Sequence, residues 1–181
     1  MLFLPHLLLV AGTGRNTGKT TFACSIIEKF SVELKVTGLK ISSHFHSGTE
    51  SLHPLFKNEN FSIYRETSIC MQKDSSKMLK AGADKVFYIE CRDESIEEAF
   101  ERFLQLADGS GPVVCESPSL RRYINPGLFI IVDTNSNQNK KEDIIKLKSK
   151  ADLFIETDKE GFTSAIKGIG YDTTGWKIGF K

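Results

Sequence analysis

G-T-G-R-N-T-G-K-T-T, residues 12–21, follows the short apolar run L-L-L-V at residues 7–10. A continuous apolar run that ends in glycine is typical of a parallel strand buried on both faces. Apolar residues from Phe22 to Phe30 then recur at helical spacing, which predicts a helix over residues 19–30 with one face on a sheet. A glycine-rich segment between a strand and a helix is the context of a phosphate-binding loop.

The chemistry of a phosphate-binding loop assigns a role to most residues of this stretch. Glycines allow backbone N–H groups to turn toward phosphate oxygens, and the helix N-terminus adds partial positive charge. Lys19 would reach the β- and γ-phosphates, the Thr20 hydroxyl would join the coordination of Mg²⁺, and Thr21 would contact the α-phosphate. The residues predicted to bind the nucleotide are Gly14, Arg15, Asn16, Thr17, Gly18, Lys19, Thr20 and Thr21. The alternative, an ordinary glycine-rich turn, is disfavoured by the Gly-Lys-Thr sequence.

The rest of the chain alternates between apolar runs and helical patterns. Strands are predicted at residues 32–41, 61–67 (a short edge strand), 86–89, 112–115, 128–132 and 153–155, and helices at 74–81, 96–104 and 140–150. Residues 42–60 are polar and are predicted to form a long loop. The C-terminal part of the chain is expected to hold one helix and a short strand near Trp176. Alternation of this kind predicts an α/β fold, a three-layer α/β/α sandwich with a mostly parallel sheet. We expect one P-loop nucleotide-binding domain over residues 1–181.

Composition restricts the possible partners and the compartment. The net charge is +1, so no electrostatic footprint of a nucleic-acid or membrane-surface binder is present. The four cysteines form no C-x-x-C pair and are expected in the core, which favours a reduced, cytoplasmic setting. The apolar residues 1–10 are too few to cross a membrane and lack the basic start of a signal peptide.

Three charged residues outside the loop are candidates for the same site. Lys40 lies at the C-terminal end of the second predicted strand, where ligands gather in parallel sheets, and is either a second phosphate-binding lysine or a solvated one. Glu116 directly follows the apolar run at residues 113–115 of another predicted strand and would serve Mg²⁺ or the attacking water, or merely face solvent. Asp74 would hold Mg²⁺ through water or cap a helix. The predicted catalytic set is Lys19, Lys40 and Glu116, and the predicted metal set is Thr20, Glu116 and Asp74.

Other polar residues support no specific site. His44, His46 and His53 lie in one segment, but their spacing matches no standard zinc pattern, so we expect surface histidines. Asp133 and Asn135 follow a predicted strand and would either hydrogen-bond a base or form an Asx turn. Since no N-K-x-D sequence is present, the choice between ATP and GTP stays open.

The glycine spacing of the loop departs from the usual form. Gly12 and Gly18 enclose five residues instead of four, and Thr13 takes the usual glycine position. This G-T-x-x-x-x-G-K-T form resembles the loop of dethiobiotin synthetase and the cobyrinic acid diamide synthases. The segment T-G-L-K, residues 37–40, is similar to the one that carries a second phosphate-facing lysine in dethiobiotin synthetase.

A more specific resemblance extends over about the first half of the chain. G-L-K at residues 38–40 followed by His44 and His46, then K-D-S at 73–75 and L-K-A-G-A at 79–83, resembles the molybdopterin-guanine dinucleotide biosynthesis protein B family. That family usually has histidine directly after the lysine, where this chain has Ile41. The resemblance implies a GTP or ATP ligand with Mg²⁺, a homodimer, and a molybdenum-cofactor nucleotidyltransferase as partner.

Three functions are compatible with these observations. The leading hypothesis is Mg²⁺-dependent binding and slow hydrolysis of a nucleoside triphosphate by an accessory protein of molybdenum-cofactor nucleotide attachment. The alternatives are an ATP-dependent synthetase of the dethiobiotin synthetase type and a regulatory module that binds nucleotide without hydrolysing it.

Overall fold

The computed structural model describes residues 1–14, 16–46, 49, 52–70, 72–108, 111–133, 146–156 and 159–179. The strands are β1 (Leu2–Gly12), β2 (Thr37–Ser42), β3 (His53–Lys57), β4 (Phe61–Arg65), β5 (Lys85–Cys91), β6 (Val113–Glu116), β7 (Ile124–Asp133), β8 (Leu153–Glu156), β9 (Ile169–Asp172) and β10 (Gly175–Ile178). The helices are α1 (Lys19–Phe30), α2 (Asp74–Lys80), α3 (Ile96–Leu106) and α4 (Lys159–Gly168). Residues 146–148 form a further helical turn, while residues 140–145 of the helix expected there lie outside the described part.

One large sheet carries eight strands in the order β3-β4-β5-β2-β6-β1-β7-β8. The six strands from β5 to β8 in this order are parallel, and β4 and β3 add an antiparallel edge. Strand β6 lies between β2 and β1, so the carboxyl ends of these three strands meet at one edge of the sheet. Strands β9 and β10 form a separate antiparallel hairpin.

A hydrophobic core lies on each face of the large sheet. Alternate residues of β1 point to opposite faces, so Leu7 and Leu9 belong to one core and Leu8 and Val10 to the other. The first core is closed by α3, through Ile96, Ala99, Phe100 and Phe103, and the second by α1, through Phe22, Ala23, Ile26 and Ile27. The expected α/β sandwich with a mostly parallel sheet is thereby confirmed.

The bounds of the helices and strands confirm some of the sequence predictions and correct others. The predicted helix over residues 19–30 is confirmed at both ends. The second strand was expected from Val32, but it begins at Thr37, and Val32 is 82% exposed. The strand predicted at residues 61–67 is present as β4, but it is an inner strand and not an edge strand. The edge is formed by β3, which pairs with β4 and lies within residues 42–60, the segment expected to be a loop. Pro54 in β3 suits an edge strand, since it has no N–H to donate to a further strand.

The cysteines do not all lie in the core. Cys91 and Cys115 are buried and Cys24 is partly buried, but Cys70 is exposed, so the expectation of four core cysteines is wrong for Cys70. Burial raises the pKa of Cys91 to about 12. Burial, together with the charges of Glu116 and Asp74, raises the pKa of Cys24 to about 11.

This difference predicts selective thiol chemistry. Because the thiolate is the reactive form, we expect an aromatic disulfide reagent to modify Cys70 rapidly in the folded protein and the other three cysteines only after unfolding. Thiol release followed by absorbance, with the modified peptide identified by mass spectrometry, checks this. Cys70→Ser should remove the rapid phase, and a second rapid phase in that variant would contradict the burial described here.

None of the described helices combines the length and apolar character needed to cross a membrane.

Candidate functional site

The loop between β1 and α1 has the backbone of an anion-binding turn. Gly18 lies immediately before α1 with a φ of 81°, in the left-handed region that glycine enters without steric cost, and Asn16 is also left-handed with a φ of 57°. Among the residues that the structure describes, no side chain caps the start of α1. The first N–H groups of a helix have no partner within the helix, so this end of α1 suits an anion.

Lys19 folds back over the loop. Its amino group donates hydrogen bonds to the Gly14 carbonyl at 2.6 Å and to the Thr17 hydroxyl at 3.2 Å. A Cβ at position 12 would lie 2.6 Å from Cγ of Lys19 and closer still to the Thr17 hydroxyl. Glycine at position 12 is therefore needed for Lys19 and Thr17 to take these positions.

Thr13 attaches the start of the loop to β7. Its hydroxyl donates to Oδ1 of Asp133, and its N–H donates to the Val132 carbonyl at 3.2 Å. Thr13 is 6% exposed and Asp133 is 3% exposed. Asp133 was expected either to contact a base or to form an Asx turn, but it is buried against the loop, while Asn135 lies outside the described residues.

Glu116 joins three strands and the loop helix. It ends β6 and is 1% exposed, with Oε2 accepting a hydrogen bond from the Thr20 hydroxyl at 2.7 Å. Its other oxygen, Oε1, accepts from the Lys40 amino group at 2.6 Å. The strand order explains this meeting, because Glu116 pairs in register with Lys40 on β2 and with Val10 on β1.

Asp74 completes the ion-pair network around Lys40. Its Oδ2 lies 3.0 Å from the Lys40 nitrogen, and its Oδ1 lies 3.3 Å from the Lys77 nitrogen. Burial alone lowers the pKa of Lys40, but the carboxylates of Glu116 and Asp74 outweigh burial, and the net shift is upward. Burial alone raises the pKa of Asp74, but Lys40 and Lys77 outweigh it, so the pKa is lowered.

The start of α2 differs from the expected cap. Asp74 was expected to hold Mg²⁺ through water or to cap this helix. Lys73 occupies the cap position instead, Asp74 is the first residue of the helix, and no side chain in the described part of the chain caps it. The Asp74 side chain turns to Lys40 instead. The buried Glu66 holds the helix start in place, because its Oε2 accepts hydrogen bonds from Ser75 at 2.7 Å and Ser76 at 2.9 Å.

One cleft of about 1010 Å³ brings most of the predicted residues together. Its lining includes Gly14, Asn16, Thr17, Gly18, Lys19, Thr20, Thr21, Lys40, Asp74 and Glu116, all of which were predicted, whereas Arg15 lies outside the described residues. His44 and His46 also line it, and these two and His53 are exposed, as expected. Among the described residues no cluster of three or more His, Cys, Asp or Glu side chains suits a metal ion.

Two further groups beside the cleft were missed by sequence reasoning. Glu90 is the last residue but one of β5 and is buried, and its Oε1 accepts from the His46 N–H at 2.9 Å and from the Tyr88 hydroxyl at 3.2 Å. Burial and the Glu90 charge raise the pKa of Tyr88, which lines the cleft. A carboxylate at the end of an apolar strand, the same signal that marks Glu116, would have identified Glu90.

Two arginines that follow Glu116 in sequence are not part of the cleft lining. Arg121 donates to the Ile124 carbonyl at 3.0 Å and packs 5.6 Å from the centre of the Phe129 ring. Arg122 lies 3.7 Å from Asp93. These contacts engage both side chains outside the cleft.

The chain matches no protein-family model, and a search of curated proteins finds no match. The residues of the cleft and their geometry are therefore the basis for assigning a function.

Proposed function

We propose that this protein binds a nucleoside triphosphate, ATP or GTP, together with Mg²⁺ and hydrolyses it slowly, as an accessory to a molybdenum-cofactor nucleotidyltransferase in the reduced cytoplasm. The observation that carries the proposal is the convergence on Glu116. The Thr20 hydroxyl and the Lys40 amino group, predicted separately to serve Mg²⁺ and phosphate, bind the two oxygens of this one carboxylate.

The donors present fit a triphosphate with its cation. Gly18 and the uncapped start of α1 offer backbone N–H groups, and Lys19 and Lys40 offer amino groups beside them. Thr20 and Glu116 offer hard oxygen ligands, the type that Mg²⁺ prefers. Mg²⁺ usually keeps several waters and takes one or two protein carboxylates, so a cluster of three acidic residues is not required.

In this proposal the chain's own residues act mainly by positioning. The loop amides and Lys19 bind the β- and γ-phosphates, and Lys40 moves from Glu116 to the γ-phosphate, while Asp74 keeps Lys40 close to the site. Thr20 and Glu116 hold Mg²⁺, which when bound neutralises charge that develops on the phosphates. Glu116 also lies at the strand end from which a carboxylate orients an attacking water.

A synthetase of the dethiobiotin synthetase type is the second candidate. The cleft continues past Lys40 along the end of β2 to Ser43, His44 and Tyr88, which leaves space beside the loop for a second substrate. Phosphate release that requires a small carboxylic acid would favour this candidate, and release by the protein alone would favour the simple hydrolase.

Thermal stability in the presence of nucleotide tests the proposal. With ATP or GTP and Mg²⁺ at a hundredfold excess over Kd, the ligand should stabilise the protein by about 2.7 kcal/mol. For a chain of this size that raises Tm by about 5–10 °C. We expect Lys19→Ala to lose this shift, because the amino group that contacts the phosphates is removed, and Lys57→Ala, a change on the exposed edge strand β3, to keep it.

The result also separates the possible functions. If neither nucleotide shifts Tm of the unmodified protein, the proposal is wrong. A shift with GTP alone favours the molybdenum-cofactor role, and a tight Mg²⁺-dependent complex with no phosphate release favours the regulatory module.

A further inference from the structure

The contact between Thr13 and Asp133 joins two parts of the chain that are 120 residues apart. The Thr13 hydroxyl donates to Asp133, and the neighbouring Thr13 N–H donates to the Val132 carbonyl, so side chain and backbone both attach the loop to the end of β7. Both side chains are almost completely buried. A hydrogen bond to a carboxylate in such surroundings is stronger than one between neutral groups.

This contact lies at the point where the loop departs from the usual glycine spacing. Gly12 and Gly18 enclose five residues, and an additional residue gives a loop more conformations to lose when its N–H groups converge on a ligand. Thr13 immediately follows Gly12, so fixing Thr13 leaves one residue fewer to be ordered between the two glycines when a ligand binds.

We infer that Thr13 and Asp133 are positioning residues that hold the lengthened loop in its binding conformation before the nucleotide arrives. Asp133 acts through Thr13 and is not among the residues that line the cleft. A base-reading role for Asp133 is disfavoured, because the carboxylate is buried and its Oδ1 is occupied by Thr13. The inference rests on the proposed function for its effect on affinity, but its effect on the loop is independent of any ligand.

Amide hydrogen exchange in the ligand-free protein tests the effect on the loop. Thr13→Val keeps the size of the side chain and removes the hydroxyl, so exchange of peptides that cover residues 12–20 should accelerate at least tenfold, with peptides of α3 unchanged. Thr13→Ser keeps the hydroxyl and should exchange like the unmodified protein. The inference is overturned if Thr13→Val leaves exchange of the loop unchanged.

Titration with Mg²⁺-ATP, Mg²⁺-GTP and inorganic tripolyphosphate tests the effect on binding. Thr13→Val and Asp133→Ala should each weaken binding about tenfold, and the double variant should be no weaker than the weaker single variant, because both changes remove the same contact. Asp133→Asn keeps an acceptor oxygen and should bind within about threefold of the unmodified protein. Equal affinity in Thr13→Val and Thr13→Ser, or independent losses that add in the double variant, overturns the inference.

The two arms separate this inference from the proposed function. If the unmodified protein binds none of the three probes, the proposed function is wrong, and the exchange result alone then decides whether Thr13 and Asp133 order the loop.

Discussion

Replacing Glu116 by alanine is expected to lower the free energy of unfolding of the ligand-free protein by about 3 kcal/mol, since loss of one partner from a buried ion pair costs about 3–5 kcal/mol. The value lies at the lower end because Lys40 keeps Asp74 at 3.0 Å. Thr20 also loses its acceptor, Oε2 of Glu116. Chemical denaturation monitored by circular dichroism measures the difference.

Two matched variants test what causes this loss of stability: one removes the charge of Glu116 but keeps its shape, and the other removes the charge of Asp74. Glu116→Gln keeps the size and an acceptor oxygen, so about half of the loss is expected. Asp74→Asn removes the outer partner of Lys40. Because the Asp74 side chain is 35% exposed, this change should lower the free energy of unfolding by about 1 kcal/mol or less. A loss at Asp74 equal to that at Glu116 would mean that the buried carboxylate does not dominate the network.

The pH dependence of the same difference identifies Lys40 as the partner. The folded pKa of Lys40 is raised above its usual 10.5, so the stabilisation by its partners is complete below that value and is lost as pH rises through the raised pKa. The difference in unfolding free energy between the unmodified protein and Glu116→Ala should therefore be constant from neutral pH to about 10.5 and shrink above it. In a Lys40→Met background the alkaline decrease should be absent.

The parts of the site that sequence predicted are those set by local signals. Gly18, Lys19 and the apolar spacing from Phe22 to Phe30 are neighbours in sequence, and together they specify a turn followed by a helix whose bounds were predicted correctly. Lys40 and Glu116 were found because each lies at the carboxyl end of a predicted strand, and parallel strands of one sheet end at one edge.

The contacts between these residues depend on strand order, which local patterns do not contain. The sixth strand, β6, inserts between β2 and β1, and only this order brings Glu116 beside both Lys40 and Thr20. The Thr13 contact with Asp133 depends in the same way on β7 lying against β1. Strand β3 was missed for a different reason, because an edge strand with exposed side chains needs no apolar pattern.

Gly12→Ala should remove nucleotide binding while the fold is kept. The added Cβ would lie 2.6 Å from Cγ and 2.7 Å from Cδ of Lys19, so the Lys19 and Thr17 side chains must move away from the loop. These are flexible side-chain atoms, and overpacking of this kind costs about 1–3 kcal/mol, which leaves the fold intact. The functional cost is larger, because a displacement of about 1 Å at a binding group can reduce activity about a hundredfold. We therefore expect the affinity for Mg²⁺-nucleotide to fall at least a hundredfold, as measured by calorimetric titration.

Gly14→Ala is the matched control, since it makes the same change two residues further along the loop. Of the described residues, a Cβ there would meet only the Thr17 Cγ2 methyl group at 3.7 Å, an ordinary contact, and Gly14 does not need a positive φ. We expect Tm of ligand-free Gly14→Ala to stay within about 1 °C of the unmodified protein, because a relaxed contact of this kind adds little strain. If Gly12→Ala bound nucleotide as tightly as the unmodified protein, the close packing of Gly12 against Lys19 would not be needed to position this lysine for binding. Measured on the ligand-free proteins, the Tm values of the two variants separate the steric cost of a Cβ at position 12 from a general sensitivity of the loop to added side chains.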